Sequence, residues 1–228
     1  MQIVLTPEIL LEAYAQGLFP MARSGHSPYI DWYCPKNRGQ LSITQLHIPK
    51  KLGRMVKKME ISGAPYEIRI DTEFESVMRN CAMTNEEEHM RKETWINEDI
   101  IKVFCKLHEM GYAHSVECWQ GGQLTGGLYG LAIGGLFCGE SMFSTAPNTS
   151  KACLIHLVAR LWKKGYSVLD TQFVNDHLLQ FGVYEVPYES YLEQLEHALR
   201  QDCTFKEDDE PSEPELVREY LEGRLKNS

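Results

Sequence analysis

The stretch from residue 113 to 144 leaves the chain little choice of architecture. Residues 113–119 alternate as a half-buried strand does, and Gly121-Gly122 turns the chain back. Residues 124–132 and 136–143 read as two more strands around a second turn at Ile133-Gly134-Gly135. Strands joined by turns this short must run antiparallel. A helical pattern over about 150–164 then leads to a strand at 167–172, which predicts a mixed sheet flanked by helices, an α+β fold.

Around this centre the punctuation is clear. Thr6 caps a helix that starts at Pro7 and stops at Gly17, and Asn97 caps another over 98–110 that stops at Gly111. Residues 17–39, rich in aromatics, Pro and Gly, read as a packed irregular segment leading to a strand near 40–43. Further elements are expected as helices at about 49–59, 74–81, 175–180 and 189–199, and as strands at 66–70 and 184–186. The run Ser62-Gly63-Ala64-Pro65 marks a boundary between a small amino-terminal α/β domain (1–63) and a larger domain (64–200). The segment 201–228 follows as an acidic tail with nine acids against four bases, and Leu216, Val217, Tyr220 and Leu221 give it the pattern of a helix over 213–225.

Composition removes whole classes of function. With 43% hydrophobic residues in 228, the chain can bury a sizeable core. No apolar run is long enough to span a bilayer and no export signal opens the chain, so a cytoplasmic protein with no membrane partner is expected. Seven scattered cysteines without a CxxC, and eight histidines without an HExxH, predict free thiols and no metal. A net charge of −9 argues against a protein that coats DNA or RNA indiscriminately. The exception is local: Lys50, Lys51, Arg54, Lys57 and Lys58 share one short helix, read either as a solvated face or as a phosphate track.

Two short segments could carry chemistry. Glu140 lies inside FCGESMFS, a run of small and apolar residues in which a carboxylate must find a cation or bind its proton more tightly. Asp170 and Gln172, at the carboxyl end of the strand LDTQF, share a face if the strand is regular, and ligands collect at such strand ends. An outward-facing Glu140 and a loop-capping Asp170 are the plainer alternatives. Cys138 has no assignable histidine base beside it. Trp32, Tyr33, Trp95, Trp119, Tyr129, Phe137, Phe143 and Phe173 divide between core and a surface able to stack on a nucleobase.

Six segments in order, AYAQGLFPM (13–21), TWIN (94–97), AHSVECW (113–119), GGLYG (126–130), LFCGESMFS (136–144) and LDTQF (169–173), resemble the bacterial leucyl/phenylalanyl-tRNA–protein transferases over about residues 10–199. The resemblance implies a second domain similar to the GNAT acyltransferases. It implies transfer of Leu, Phe or, less readily, Met from the 3′ end of aminoacyl-tRNA to the α-amine of proteins beginning with Arg or Lys, marking them for N-degron proteolysis. Cofactors are not expected: NTSK (148–151) stands where CoA-dependent GNAT enzymes carry their Gly-containing loop. By the same resemblance Asp170 and Gln172 lie near the attacking amine, and Glu140 binds the incoming N-terminus or takes its proton. Phe137, Met142 and Leu128 would line the aminoacyl pocket, Trp95 would lie against the adenosine with Trp32 nearby, and Ser144 and Phe173 complete the substrate-binding set. A mechanism in which the ribose hydroxyls carry the proton remains open, as do a CoA-dependent N-acetyltransferase and a non-catalytic RNA- or peptide-binding module.

Overall fold

A computed structural model describes residues 5–58, 66–87 and 94–226. The expected boundary at 62–65, and much of the polar loop before Thr94, lie outside these residues. The chain opens with α1 (Pro7–Ala15), the hairpin strands β1 (Phe19–Ala22) and β2 (Ile30–Tyr33), β3 (Asn37–Leu41) and α2 (Lys50–Lys57). It continues through β4 (Glu67–Ile70), α3 (Phe74–Glu87) and α4 (Glu98–Glu109) to the meander β5 (Ala113–Gln120), β6 (Gln123–Ile133) and β7 (Leu136–Ser144). Then follow α5 (Thr149–Lys163), β8 (Val168–Gln172), α6 (Asp176–Leu179), β9 (Tyr184–Pro187), α7 (Tyr188–Leu199) and α8 (Glu213–Lys226).

Seven strands form one mixed sheet in the order β4-β5-β6-β7-β8-β3-β9. All pairs are antiparallel except β7 with β8, which α5 connects as a crossover. β3, from the first 63 residues, is hydrogen-bonded between β8 and β9, so the sheet draws on both sides of the expected boundary. The alternation along the strands splits the core in two. Val116, Leu128, Ala132 and Phe137 face α2, α5 and α8, while Tyr129, Leu131, Cys138 and Phe143 face α1, α3, α4 and α7. Thr6 accepts the Ile9 N–H at 3.4 Å and Asn97 the Ile100 N–H at 2.9 Å, so both caps act as their side chains dictate.

Two features differ from the sequence expectation, and a third, the partner of the carboxyl-terminal helix, is supplied by the structure. The segment read as irregular contains the β1–β2 hairpin, with Phe19 opposite Tyr33 and Pro20 opposite Trp32; strands of four residues interrupted by Pro20 carry too little alternation to be seen. α3 runs on to Glu87. The acidic tail is docked: Leu216, Val217 and Tyr220 of α8 are buried, and Arg160 of α5, 1% exposed, is paired with Glu210 and Glu213. No helix among the described residues is long and apolar enough to cross a membrane.

Candidate active site

The candidate residues meet where the sheet opens in its middle. β7 and β8 pair only at Leu136↔Val168, Phe137↔Leu169 and Cys138↔Asp170. Beyond that point β7 continues to Ser144 with β6 alone, and β8 leaves toward β3. Each strand carries an irregularity at the fork. Tyr129 pairs with Ser141 and Gly130 with Gly139, so Glu140 is the extra residue of a bulge in β7. Gln40 pairs with Asp170 and Gly39 with Gln172, so Thr171 is the extra residue in β8. Bulges re-aim side chains, and these two turn Glu140 and Gln172 toward each other across the gap: Gln172 Nε2 donates to Glu140 Oε1 at 3.0 Å.

Gln172 occupies the left-handed region, φ 58°, and the Phe173 N–H reaches back to the Thr171 carbonyl at 2.6 Å. A three-residue turn with positive φ at its centre is the rarer, strained γ-turn, and for a non-glycine residue the backbone cost is about 1–2 kcal/mol. The neighbouring strand is shaped to hold it. A Cβ on Gly39 would stand 2.6 Å from the Phe173 carbonyl carbon and 2.8 Å from Thr171 Oγ1, so only glycine lets β3 approach.

Beneath this turn Asp170 is completely buried and hydrogen-bonded on both oxygens. Arg38, equally buried, grips it through Nε and Nη2 at 2.8–3.0 Å. The Tyr191 hydroxyl donates at 2.9 Å and the Gln172 backbone N–H at 2.8 Å. The Arg38 guanidinium lies over the rings of Phe19 and Tyr191 at 4.7 and 4.6 Å, and its Nη1 donates to the Gly17 carbonyl at the end of α1. Losing either partner would strand a buried charge, at a cost of about 3–5 kcal/mol. Asp170 therefore acts as a fixed post for the Gln172 backbone, with no lone pair facing outward.

Glu140 is different. It keeps some exposure, and both of its neighbours, the Tyr14 hydroxyl at 2.8 Å and the Gln172 amide, donate to Oε1. Among the described residues no hydrogen bond reaches Oε2. Burial pushes the carboxyl up to about 8, with the Asp170 carboxylate adding to the rise and Tyr14 and Arg38 opposing it. Burial and the Glu140 charge in turn hold the Tyr14 phenol well above its usual range, so it stays a donor. Burial, then Asp170 and Glu140, push the Cys138 thiol up, and its S–H points to Asp170 at 3.6 Å; a thiolate nucleophile is disfavoured.

The other residues singled out in the sequence fall in several places. Leu128 and Met142 are cross-strand partners on the α5 face. Phe137, on the same face, has no exposed surface and stacks on Phe205 with centroids 5.4 Å apart. Trp95 and Trp32 pack against the opposite core, and the Trp95 carbonyl accepts the Ala22 N–H at 3.2 Å. Ser144 shares a hydrogen bond with Thr149 at 2.8 Å and accepts the Ser150 N–H, which settles it at the start of α5. Phe173 is 44% exposed beside the turn. Lys50, Lys51, Arg54 and Lys57 on α2 and Lys58 at its C-terminal cap are all exposed, while Leu52 and Val56 of α2 are buried, and among the described residues none of the five cations is ion-paired. No cluster of three His, Cys, Asp or Glu side chains among the described residues is placed to hold a metal.

Sequence reasoning missed Arg38, Tyr14 and Tyr191. The one available signal was NRGQL, where Arg38 and Gln40 alternate on a strand otherwise able to be buried; a buried Arg requires a buried acid, and Asp170 was the acid in reach.

Comparison with known proteins identifies the family. The model of the leucyl/phenylalanyl-tRNA protein transferase family matches residues 40–196, and the model of that family's N-terminal domain matches 4–36. The chain is 48% identical over 201 residues to the leucyl/phenylalanyl-tRNA–protein transferase of Paramagnetospirillum magneticum, covering 88% of this chain and 92% of that one. It is 44% identical over 206 residues to the same-named protein of Gloeobacter violaceus, covering 90% and 100%, and 46% identical to that of Rhodospirillum rubrum, covering 87% and 89%. The chain therefore belongs to the leucyl/phenylalanyl-tRNA–protein transferase family and is an aminoacyltransferase.

Proposed function

We propose that the fork between β7 and β8 is where leucine or phenylalanine, and less readily methionine, passes from tRNA to the α-amine of proteins beginning with Arg or Lys. Glu140 carries this reading: a carboxyl pushed to about 8, with one oxygen held by two donors and the other open. An α-amine has an ordinary pKa of about 7.7–8.0, so acid and base are matched for proton transfer near neutral pH.

The reaction is aminolysis of an activated ester. The amine nitrogen attacks the ester carbonyl carbon, and the new C–N bond forms as the C–O bond to the ribose breaks. The proton shed by nitrogen passes to Glu140 Oε2 and from there to the ribose oxygen, which leaves as a hydroxyl. The chemistry needs an oriented amine and stabilised charge. Tyr14 and Gln172 fix Glu140; Asp170, anchored by Arg38, fixes Gln172. Buried and bonded on both oxygens, Asp170 orients Gln172 and does not accept the proton itself.

In this reading Leu128 and Met142 border the aminoacyl pocket with Phe137 behind them, and Trp95 and Trp32 receive the terminal adenosine. A pocket without polar partners accepts Leu, Phe and Met and penalises polar side chains. The exposed cations of α2 serve the tRNA phosphates. The forked mixed sheet is assigned to the GNAT-like class, preceded by the small amino-terminal domain, and the protein to the cytoplasm, where its products enter N-degron proteolysis.

The test mixes the purified protein with radiolabelled Leu-tRNA and a peptide beginning with Arg or Lys. Label should appear at the peptide amino terminus. Absence of that transfer, together with acetylation from acetyl-CoA, would overturn the reading.

A further inference from the structure

Both carboxylates at the fork are committed. Asp170 is sealed by Arg38, Tyr191 and the Gln172 backbone, and Glu140 is braced by Tyr14 and Gln172 for proton transfer. Asp170 has no oxygen left for the long cationic side chain that the proposed acceptors bring, and the open Oε2 of Glu140 is the one assigned to the proton of the α-amine. What adjoins Gln172 instead is aromatic. Phe173 is the next residue, held rigidly by its N–H bond to Thr171 and by the close approach of Gly39, yet 44% exposed. It meets Phe19 edge-on with centroids 5.5 Å apart, and Phe19 stacks on Tyr33 at 5.9 Å, itself 38% exposed. Phe19 already carries the guanidinium of Arg38 at 4.7 Å. The cluster thus holds one cation from within and offers two fixed rings outward, a costly use of large apolar surface unless something covers it.

We propose that Phe173 and Tyr33 seat the basic side chain of the acceptor's first residue, which is read by cation–π contact rather than by an ion pair. The inference rests on the transferase reading with a basic acceptor. Aromatic faces attract ammonium and guanidinium groups alike, so Arg and Lys are both admitted, and a neutral side chain of the same shape is not. The α-amine then lies on the Glu140 side of the turn, one residue away from the rings.

The experiment measures KM for peptides beginning with Arg, Lys or citrulline, the neutral isostere of arginine, using Leu-tRNA as donor and the wild type, Phe173→Leu, Phe173→Trp, Tyr33→Leu and, as a control at the C-terminal cap of α4, Met110→Leu. Phe173→Leu should raise KM for the Arg peptide about 3- to 10-fold and collapse the preference for Arg over citrulline, while Phe173→Trp retains that preference. Tyr33→Leu should act in the same direction, and Met110→Leu should match the wild type. A rise in KM for Leu-tRNA instead would make the rings a nucleobase platform and overturn the proposal. An equal loss for Arg and citrulline peptides would reduce them to ordinary apolar contact and overturn it too. A wild type that transfers leucine to no basic peptide would remove the transferase reading itself, and the proposal with it.

Discussion

Replacing Glu140 with glutamine should make the protein more stable and much less active, and the stability gain should depend on pH. The carboxyl sits at about 8 in the folded protein against an ordinary 4.5. Folding therefore tightens its hold on a proton, and wild-type stability is lost as pH rises from about 4.5 through 8. At about 1.36 kcal/mol per pKa unit the full displacement would correspond to about 4–5 kcal/mol. That displacement is the upper bound on the gain, because the glutamine amide must find partners of its own. Glutamine does not titrate, and it still offers an Oε1 to Tyr14 and Gln172. In a chain of this size the gain at pH 9 is a rise in Tm of up to about 8–15 °C. Thermal unfolding of both proteins at pH 5, 7 and 9 reads it, because titrations elsewhere are common to the two. The melting curves should nearly coincide at pH 5 and separate by pH 9, glutamine above. A variant that gains nothing between pH 5 and 9 would refute the claim that burial holds the carboxyl neutral.

Arg38→Met strands the buried Asp170 and should cost about 3–5 kcal/mol, seen as a fall in Tm of roughly 10 °C or more; the double variant Arg38→Met, Asp170→Leu should recover most of the stability and none of the activity. Melting of the single variant within a few degrees of the wild type would show that the ion pair is dispensable. Gly39→Ala drives a methyl group into the Phe173 carbonyl and should displace the γ-turn, lowering turnover at least tenfold with a stability loss of about 1–3 kcal/mol; unchanged turnover would mean that the turn tolerates movement. Tyr14→Phe removes a hydrogen bond that opposes the upward shift of Glu140, so the rising limb of the transfer rate should move to higher pH, and movement to lower pH would contradict the assignment.

Much of this fold was legible because its signals are local. Thr6 and Asn97 announce helices through their own side chains, and the paired glycines at 121–122 and 134–135 fix the meander. Leu216, Val217 and Tyr220 gave away α8 but not its partner, since the burial of Arg160 against Glu210 and Glu213 joins residues about 50 apart. Glu140, Asp170 and Gln172 were legible as candidates, and the structure brings the three together, but how they are held was not legible. Strand alternation put Asp170 and Gln172 on one face; the two bulges, which no local pattern marks, gave one a buried structural bond and aimed the other at Glu140. Tyr14, Arg38 and Tyr191 come from three distant elements, and only the packing of α1, β3 and α7 around the fork assembles them.

The most direct test of Glu140 as proton acceptor is the single-turnover rate of leucine transfer from Leu-tRNA to an Arg peptide, measured across pH 6–9.5 for the wild type and Glu140→Gln. The wild-type rate should rise steeply through pH 8, where Glu140 and the acceptor α-amine both lose a proton, and the variant should run about 10²- to 10⁴-fold slower with only the limb of the α-amine left. A variant that keeps the wild-type profile at a comparable rate would contradict the role and return the proton to the ribose hydroxyls.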